Sequence, residues 1–194
     1  MDLSEIERLE AEVSNQSKQI KRLEMQVKLG GNLAKELERQ KILALEAQEE
    51  VKKSIQYASR IQGAMLPGSL PDDLTIDTIW KPLNVVGGDF YVIKDLGETI
   101  LIAVLDCTGH GVPGALLSTL TSSIFDRLIH DENVSAAGKY LTSAHNLISN
   151  MLGQHMDRKA KSNDGFDGSI CLVHKPTKTL TFAGARSGIF ILPT

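Results

Sequence analysis

Apolar residues recur at alternating steps of three and four along the first 27 residues, which is a heptad pattern. Ile6, Val13, Ile20 and Val27 fill the first core position of the repeat, and Leu9, Gln16 and Leu23 fill the second. β-Branched residues at the first position with leucine at the second favour a parallel two-stranded coiled coil. The pattern predicts a long helix that pairs with a second copy of the chain through Ile6, Leu9, Val13, Ile20, Leu23 and Val27. Gln16 weakens that seam and fixes its register. A single solvated helix lying on the rest of the protein is the alternative. Gly30 and Gly31 each cost a helix about 1 kcal/mol relative to alanine, so a hinge or helix end is expected there. Beyond them the apolar spacing is less regular, through Leu33, Leu37, Ala44, Val51, Ile55 and Ala58.

Pro67-Gly68 and Pro71 end the helical pattern, because proline lacks the amide hydrogen a helix needs. Strand-like runs follow. Thr75–Trp80 is rich in β-formers, Phe90–Lys94 is short and apolar, and Thr99–Asp106 is an almost unbroken apolar run. Such a run predicts a strand covered on both faces or in the centre of a sandwich. Helices are expected over 113–129, with Pro113 in the first turn, and over 136–152. Ser169–His174 and Thr179–Ala185 read as a hairpin turned at Lys175-Pro176-Thr177-Lys178, and Gly188–Leu192 as the start of a further strand. No βαβ rhythm appears. The expected class is α+β, with antiparallel sheet and flanking helices. The expected organisation is a helical dimerisation arm over 1–53, a linker helix and turn over 54–70, and a folded region over 71–194.

Composition narrows the function. Residues 1–60 carry 11 basic and 11 acidic side chains and one aromatic, Tyr57, so that stretch builds no core of its own. The net charge of -3 gives no basic excess for a nucleic-acid or membrane surface. No apolar run approaches the roughly 18 residues of a spanning helix. Cys107 and Cys171 lack metal-ligand spacing, and a reduced, cytoplasmic protein is expected.

Two aspartates stand out by position. Asp89 follows Val86-Gly87-Gly88 and opens a strand; Asp106 closes one and leads into Cys107-Thr108-Gly109-His110-Gly111. With the turn near Gly97, Asp89 lies eight residues before its centre and Asp106 nine after it, so a hairpin brings both carboxylates to one end of the sheet. Two carboxylates that close repel unless a cation lies between them, and Mg²⁺ or Mn²⁺ prefers such oxygen ligands. The flanking glycines permit close backbone approach, which would present the Cys107 carbonyl. A pair of turn aspartates without a metal remains the competing reading, since Asp and Gly also cluster in turns. Thr108 is expected to cap the following loop, with an approach to the metal waters as the alternative. Asp164 and Asp167 read as turn residues, with a contact to a further metal or to substrate as the alternative. His145 and His155 receive no role.

Three blocks carry a family resemblance: SIQYASRIQGAMLP at 54–67, VVGGDFY at 85–91 and AVLDCTGHGVPGALLS at 103–118. DGFDGSICLV at 164–173 and LTFAGARSGIFIL at 180–192 extend it. Together they closely resemble the SpoIIE/RsbU-type branch of the PPM (PP2C-like) serine/threonine phosphatases. Val92 departs from the usual residue at its position, without evident consequence. The resemblance implies a partial α-β-β-α sandwich preceded by the coiled-coil helix. It also implies a two-metal Mn²⁺ or Mg²⁺ centre that activates water against a phosphoserine or phosphothreonine. Asp89 matches the first metal aspartate, Asp106 the bridging one, and Cys107 the residue whose backbone carbonyl ligates. His110, Gly109 and Arg186 are candidates for phosphate or substrate contact. The implied partner is a phosphorylated bacterial regulatory protein, such as an anti-sigma-factor antagonist of STAS-type fold. The family's later Ser-Asp-Gly and Asp-Asp blocks are not in the sequence, so the chain is expected to be truncated at its C-terminus and impaired in activity. A non-enzymatic, dimeric interaction fragment is the alternative function.

Overall fold

The computed structural model describes residues 2–72, 74–131, 136–154 and 163–192. His155 lies outside the described residues. The chain divides into two compact units, Met1–Lys53 and Ser54–Thr194.

The first unit is helical. It belongs to α1, which runs Leu3–Met65 without a break at Gly30-Gly31. The expected hinge is therefore corrected. The two glycines cost helix stability, but helix propagation is cooperative, and strong helix formers such as Leu29, Leu33, Ala34 and Lys35 flank them. The strict heptad does not continue as far as the helix does. Counting in sevens from Val27 meets Ala34, then the polar Lys41 and Gln48, before apolar character returns at Ile55. Every described residue of this unit is exposed, including the stripe from Ile6 to Val27.

The second unit contains the C-terminal turns of α1, one sheet and two helices. Strands β1 (Asp89–Asp95), β2 (Thr99–Cys107), β3 (Phe166–His174) and β4 (Thr179–Ala185) form an antiparallel sheet in the order β1-β2-β3-β4. Helices α2 (Gly111–Ile129) and α3 (Ala137–Met151) come between β2 and β3. α2 packs on β1 and β2, and α3 on β3 and β4. Side chains alternate across a strand, so Leu101, Ala103, Leu105 and Cys107 enter the core with Phe90, Val92 and Ile170 from neighbouring strands. From the helices they meet Phe125, Leu128, Tyr140, Leu141, Ala144 and Ile148. Phe125 and Phe166 pack edge to face with centroids 5.9 Å apart, a favoured aromatic geometry.

The opposite sheet face is only partly covered: Ile100 is buried, Ile102 half-buried, and Val104 is 56% exposed. β2 is thus buried fully on its helix side alone. Two expected strands do not form. Thr75–Trp80 and Gly188–Leu192 have strand-like composition but enter no ladder, and a strand is defined by its partner as much as by propensity. Ile79 and Phe190 lie almost fully in solvent, at 90% and 95% exposure. No helix among the described residues is long and apolar enough to cross a membrane.

Candidate metal centre

The hairpin register puts Asp89 opposite Asp106, with the pairing running in step to Asp95 opposite Ile100. Directly paired residues of an antiparallel ladder project to the same face. Both carboxylates therefore leave the sheet on the face away from α2 and α3, while their neighbours Phe90 and Cys107 enter the core. β3 extends the row, because Asp106 also pairs with Asp167. Asp167 lies inside a strand rather than in the expected turn; Asp164 does precede the strand, and its carbonyl accepts a 2.7 Å bond from Gln154 Nε2.

Close backbone contact fixes this corner. A Cβ on Gly88 would collide with the Cys107 carbonyl oxygen and lie 2.9 Å from that of Gly109. One on Gly114 would collide with the Gly109 carbonyl and approach Gly88 N to 3.0 Å. Only glycine fits such contacts. Gly109, at φ +94°, adopts a conformation that side chains disfavour. The Cys107 amide donates to Gly88 O at 3.3 Å, which ties the residue before Asp89 to the residue after Asp106.

Burial, then hydrogen bonding to Asp89 and the charge of Asp89, raise the Asp106 carboxyl above its ordinary range. That is the behaviour of two carboxylates sharing one site. The Cys107 thiol points the other way, into the core; burial pushes it up to about 11, so it is no nucleophile at neutral pH.

Two supports escaped the sequence reading. Gln62, on α1 and only 4% exposed, clamps the backbone of Gly87. Its Nε2 donates to Gly87 O at 2.6 Å and to Ser118 Oγ at 2.9 Å, and its Oε1 accepts from Gly87 N at 3.2 Å. The available signal was its spacing, seven residues after Ile55 and four after Ala58, which puts it on the helix face those two apolar residues mark. Trp80 Nε1 donates to Asp89 O at 2.9 Å. The segment 76–81 and the sheet enclose a cavity of about 520 Å³ whose lining includes both Asp89 and Asp106.

Other candidates are more scattered. His110 is exposed at the start of α2, makes no side-chain cap, and lies 3.3 Å from Asn84 Nδ2 through Nδ1. Arg186 is exposed with φ 53°, and it bridges to Gly168 next to Asp167. Thr108 does not cap the following loop; its hydroxyl bonds to Gly165. His145 is exposed on α3.

Among the described residues, no group of three or more His, Cys, Asp or Glu side chains converges closely enough to hold an ion. The oxygen set that does converge is Asp89 and Asp106, with the Cys107 carbonyl beside Gly88. This fits Mg²⁺ or Mn²⁺ of the water-rich kind, which proteins commonly bind through one or two carboxylates.

No family model matches the chain. A stretch of 83 residues is 32% identical to "Phosphoserine phosphatase RsbU" of Bacillus subtilis (strain 168), covering 42% of this chain and 25% of that protein. The solved SiaA-PP2C domain of Pseudomonas aeruginosa superposes with a TM-score of 0.61 at 34% identity, covering 71% of this chain and 55% of that one. The second unit is thus similar in sequence and fold to PP2C-type phosphatases. The chain spans a quarter of the length of the matched RsbU protein and about half of the solved SiaA domain.

Proposed function

We propose that the chain contributes the first metal-binding corner of a Mn²⁺- or Mg²⁺-dependent phosphatase acting on phosphoserine or phosphothreonine of a regulatory protein. The observation that carries this is the Asp89–Asp106 rung locked by Gly88, Gly109 and Gly114. A bound divalent cation lowers the pKa of its water and neutralises charge on phosphoryl oxygens. Asp89 and Asp106 hold the cation in place, and Cys107 offers its carbonyl. Gln62 and Trp80 fix the backbone on either side of Asp89. His110, with the Gly109 loop, faces solvent at the start of α2, suited to a phosphate, and Arg186 offers a cation beside β3.

The substrate we favour is a phosphorylated STAS-type anti-sigma-factor antagonist in the cytoplasm. The exposed stripe of Ile6, Leu9, Val13, Ile20, Leu23 and Val27 suits a second copy of the chain. Hydrolysis of p-nitrophenyl phosphate with added Mn²⁺ tests the chemistry: wild type should release phenolate, and D106N should not. Equal release from both would refute the assignment.

One observation favours the second reading, a non-enzymatic dimeric module: among the described residues no group of three or more His, Cys, Asp or Glu side chains converges closely enough to hold an ion. Mn²⁺-independent dimers without any D106N-sensitive hydrolysis would select it.

A further inference from the structure

We infer that Thr108 is a positioning residue for the cation corner; this rests on the metal reading of Asp89 and Asp106. Thr108 stands where β2 ends and the chain turns toward α2. It forms three hydrogen bonds with one residue, Gly165, which lies 57 positions away. Its amide donates to Gly165 O at 2.9 Å, its hydroxyl donates to the same oxygen at 3.2 Å, and the hydroxyl accepts from Gly165 N at 3.1 Å. Both backbone polar groups of Gly165 are thereby satisfied by a single threonine.

The placement gives this staple its purpose. Two residues before Thr108 is Asp106, and two residues after Gly165 is Asp167, its partner on β3. Between them Cys107 pairs with Phe166, the last rung of the ladder. Strand ends fray, and this end carries Asp106 and Asp167 on one rung. The Thr108 hydroxyl closes the ladder where the chains would otherwise diverge. It is held from the far side as well, since Gln154 bonds the carbonyl of Asp164. The consequence reaches the Cys107 carbonyl, which lies between Asp106 and the staple and stands where a Cβ on Gly88 would collide with it. Thr108 thus sets the spacing of the oxygen donors without touching the cation. Partners that orient metal ligands in this way typically change affinity by about 10–100-fold when removed.

The test uses the full chain. Trp80 is its single tryptophan, and the indole bonds Asp89 O, so quenching of its fluorescence during a Mn²⁺ titration reports occupancy without any catalytic assay. Thr108→Val keeps the side-chain shape and removes the hydroxyl; its Mn²⁺ midpoint should rise by at least about tenfold. Thr108→Ser restores the hydroxyl and should return the wild-type midpoint. A T108V midpoint equal to wild type overturns the inference, even if thermal stability falls, because the threonine is then only structural. Loss in T108S as large as in T108V also overturns it, by assigning the effect to the methyl group. Thr108 is exposed, so substitution is tolerated; if T108V does not fold, Thr108→Ala must show the same rise. Wild type that is not quenched by Mn²⁺ refutes the metal reading itself, and the inference with it.

Discussion

Replacing Gln62 with leucine should unlatch the backbone that presents Asp89. Leucine keeps most of the volume but neither accepts from Gly87 N nor donates to Gly87 O and Ser118 Oγ. The Gly87 carbonyl keeps Ser118 as a partner at 3.2 Å, whereas the buried Gly87 amide loses its acceptor. A stranded buried donor costs about 1–3 kcal/mol, and each net hydrogen bond lost adds about 1 kcal/mol. The expected destabilisation is about 3–5 kcal/mol, which lowers the melting temperature of a chain this size by ~6–20 °C. The long exposed helix dominates circular dichroism, so the melt should be followed by Trp80 fluorescence. Gln56→Leu, on the same helix but exposed, is the control and should change stability by less than about 0.5 kcal/mol. Q62L melting together with Q56L would refute the reasoning.

Gly88→Ala should cost at least about 2 kcal/mol by overpacking against the Cys107 and Gly109 carbonyls, whereas Gly138→Ala, open on all sides in α3, should stabilise by up to about 1 kcal/mol; chemical denaturation compares them. Asp95 is held below the usual carboxylate range by hydrogen bonds from Lys175 and the Gly97 amide. Its contribution is therefore present above the unfolded value near about 3.9 and lost as pH falls through the lower folded value. Asp95→Asn should flatten that acid limb in a stability–pH profile and leave the slope between neutral and mildly acidic pH unchanged. Leu9→Glu with Leu23→Glu puts like charges into the heptad stripe, so sedimentation should show monomer where wild type shows dimer; an unchanged dimer would remove the coiled coil.

The β1–β2 pairing was legible because it is local: the distance of each aspartate from the turn at Gly97 determines the rung, and the ladder runs in that register. The two helices between β2 and β3 were legible from apolar spacing, with ends shifted by one or two residues. What escaped is non-local. Gln62 looks like an ordinary solvated helix residue until Gly87, 25 positions on, is folded against it. Thr108 and Gly165 meet only once β2 and β3 pair. Asp167 reads as a turn residue beside Gly165 and Gly168, and only the β3 register places it next to Asp106. Thr75–Trp80 failed for the converse reason: its composition favours a strand, but no neighbouring strand receives it. At Gly30-Gly31 the local cost was read correctly and its outcome was not, because helix cooperativity and the surrounding helix formers outweigh two glycines.

The central claim is that the carboxylates of residues 89 and 106 jointly grip a divalent cation. Electron paramagnetic resonance of free Mn²⁺ tests it directly, since the aqueous signal falls as the ion is bound. The account predicts that wild-type protein depletes the signal and that D89N and D106N each restore it. Depletion by both variants equal to that of wild type would contradict it.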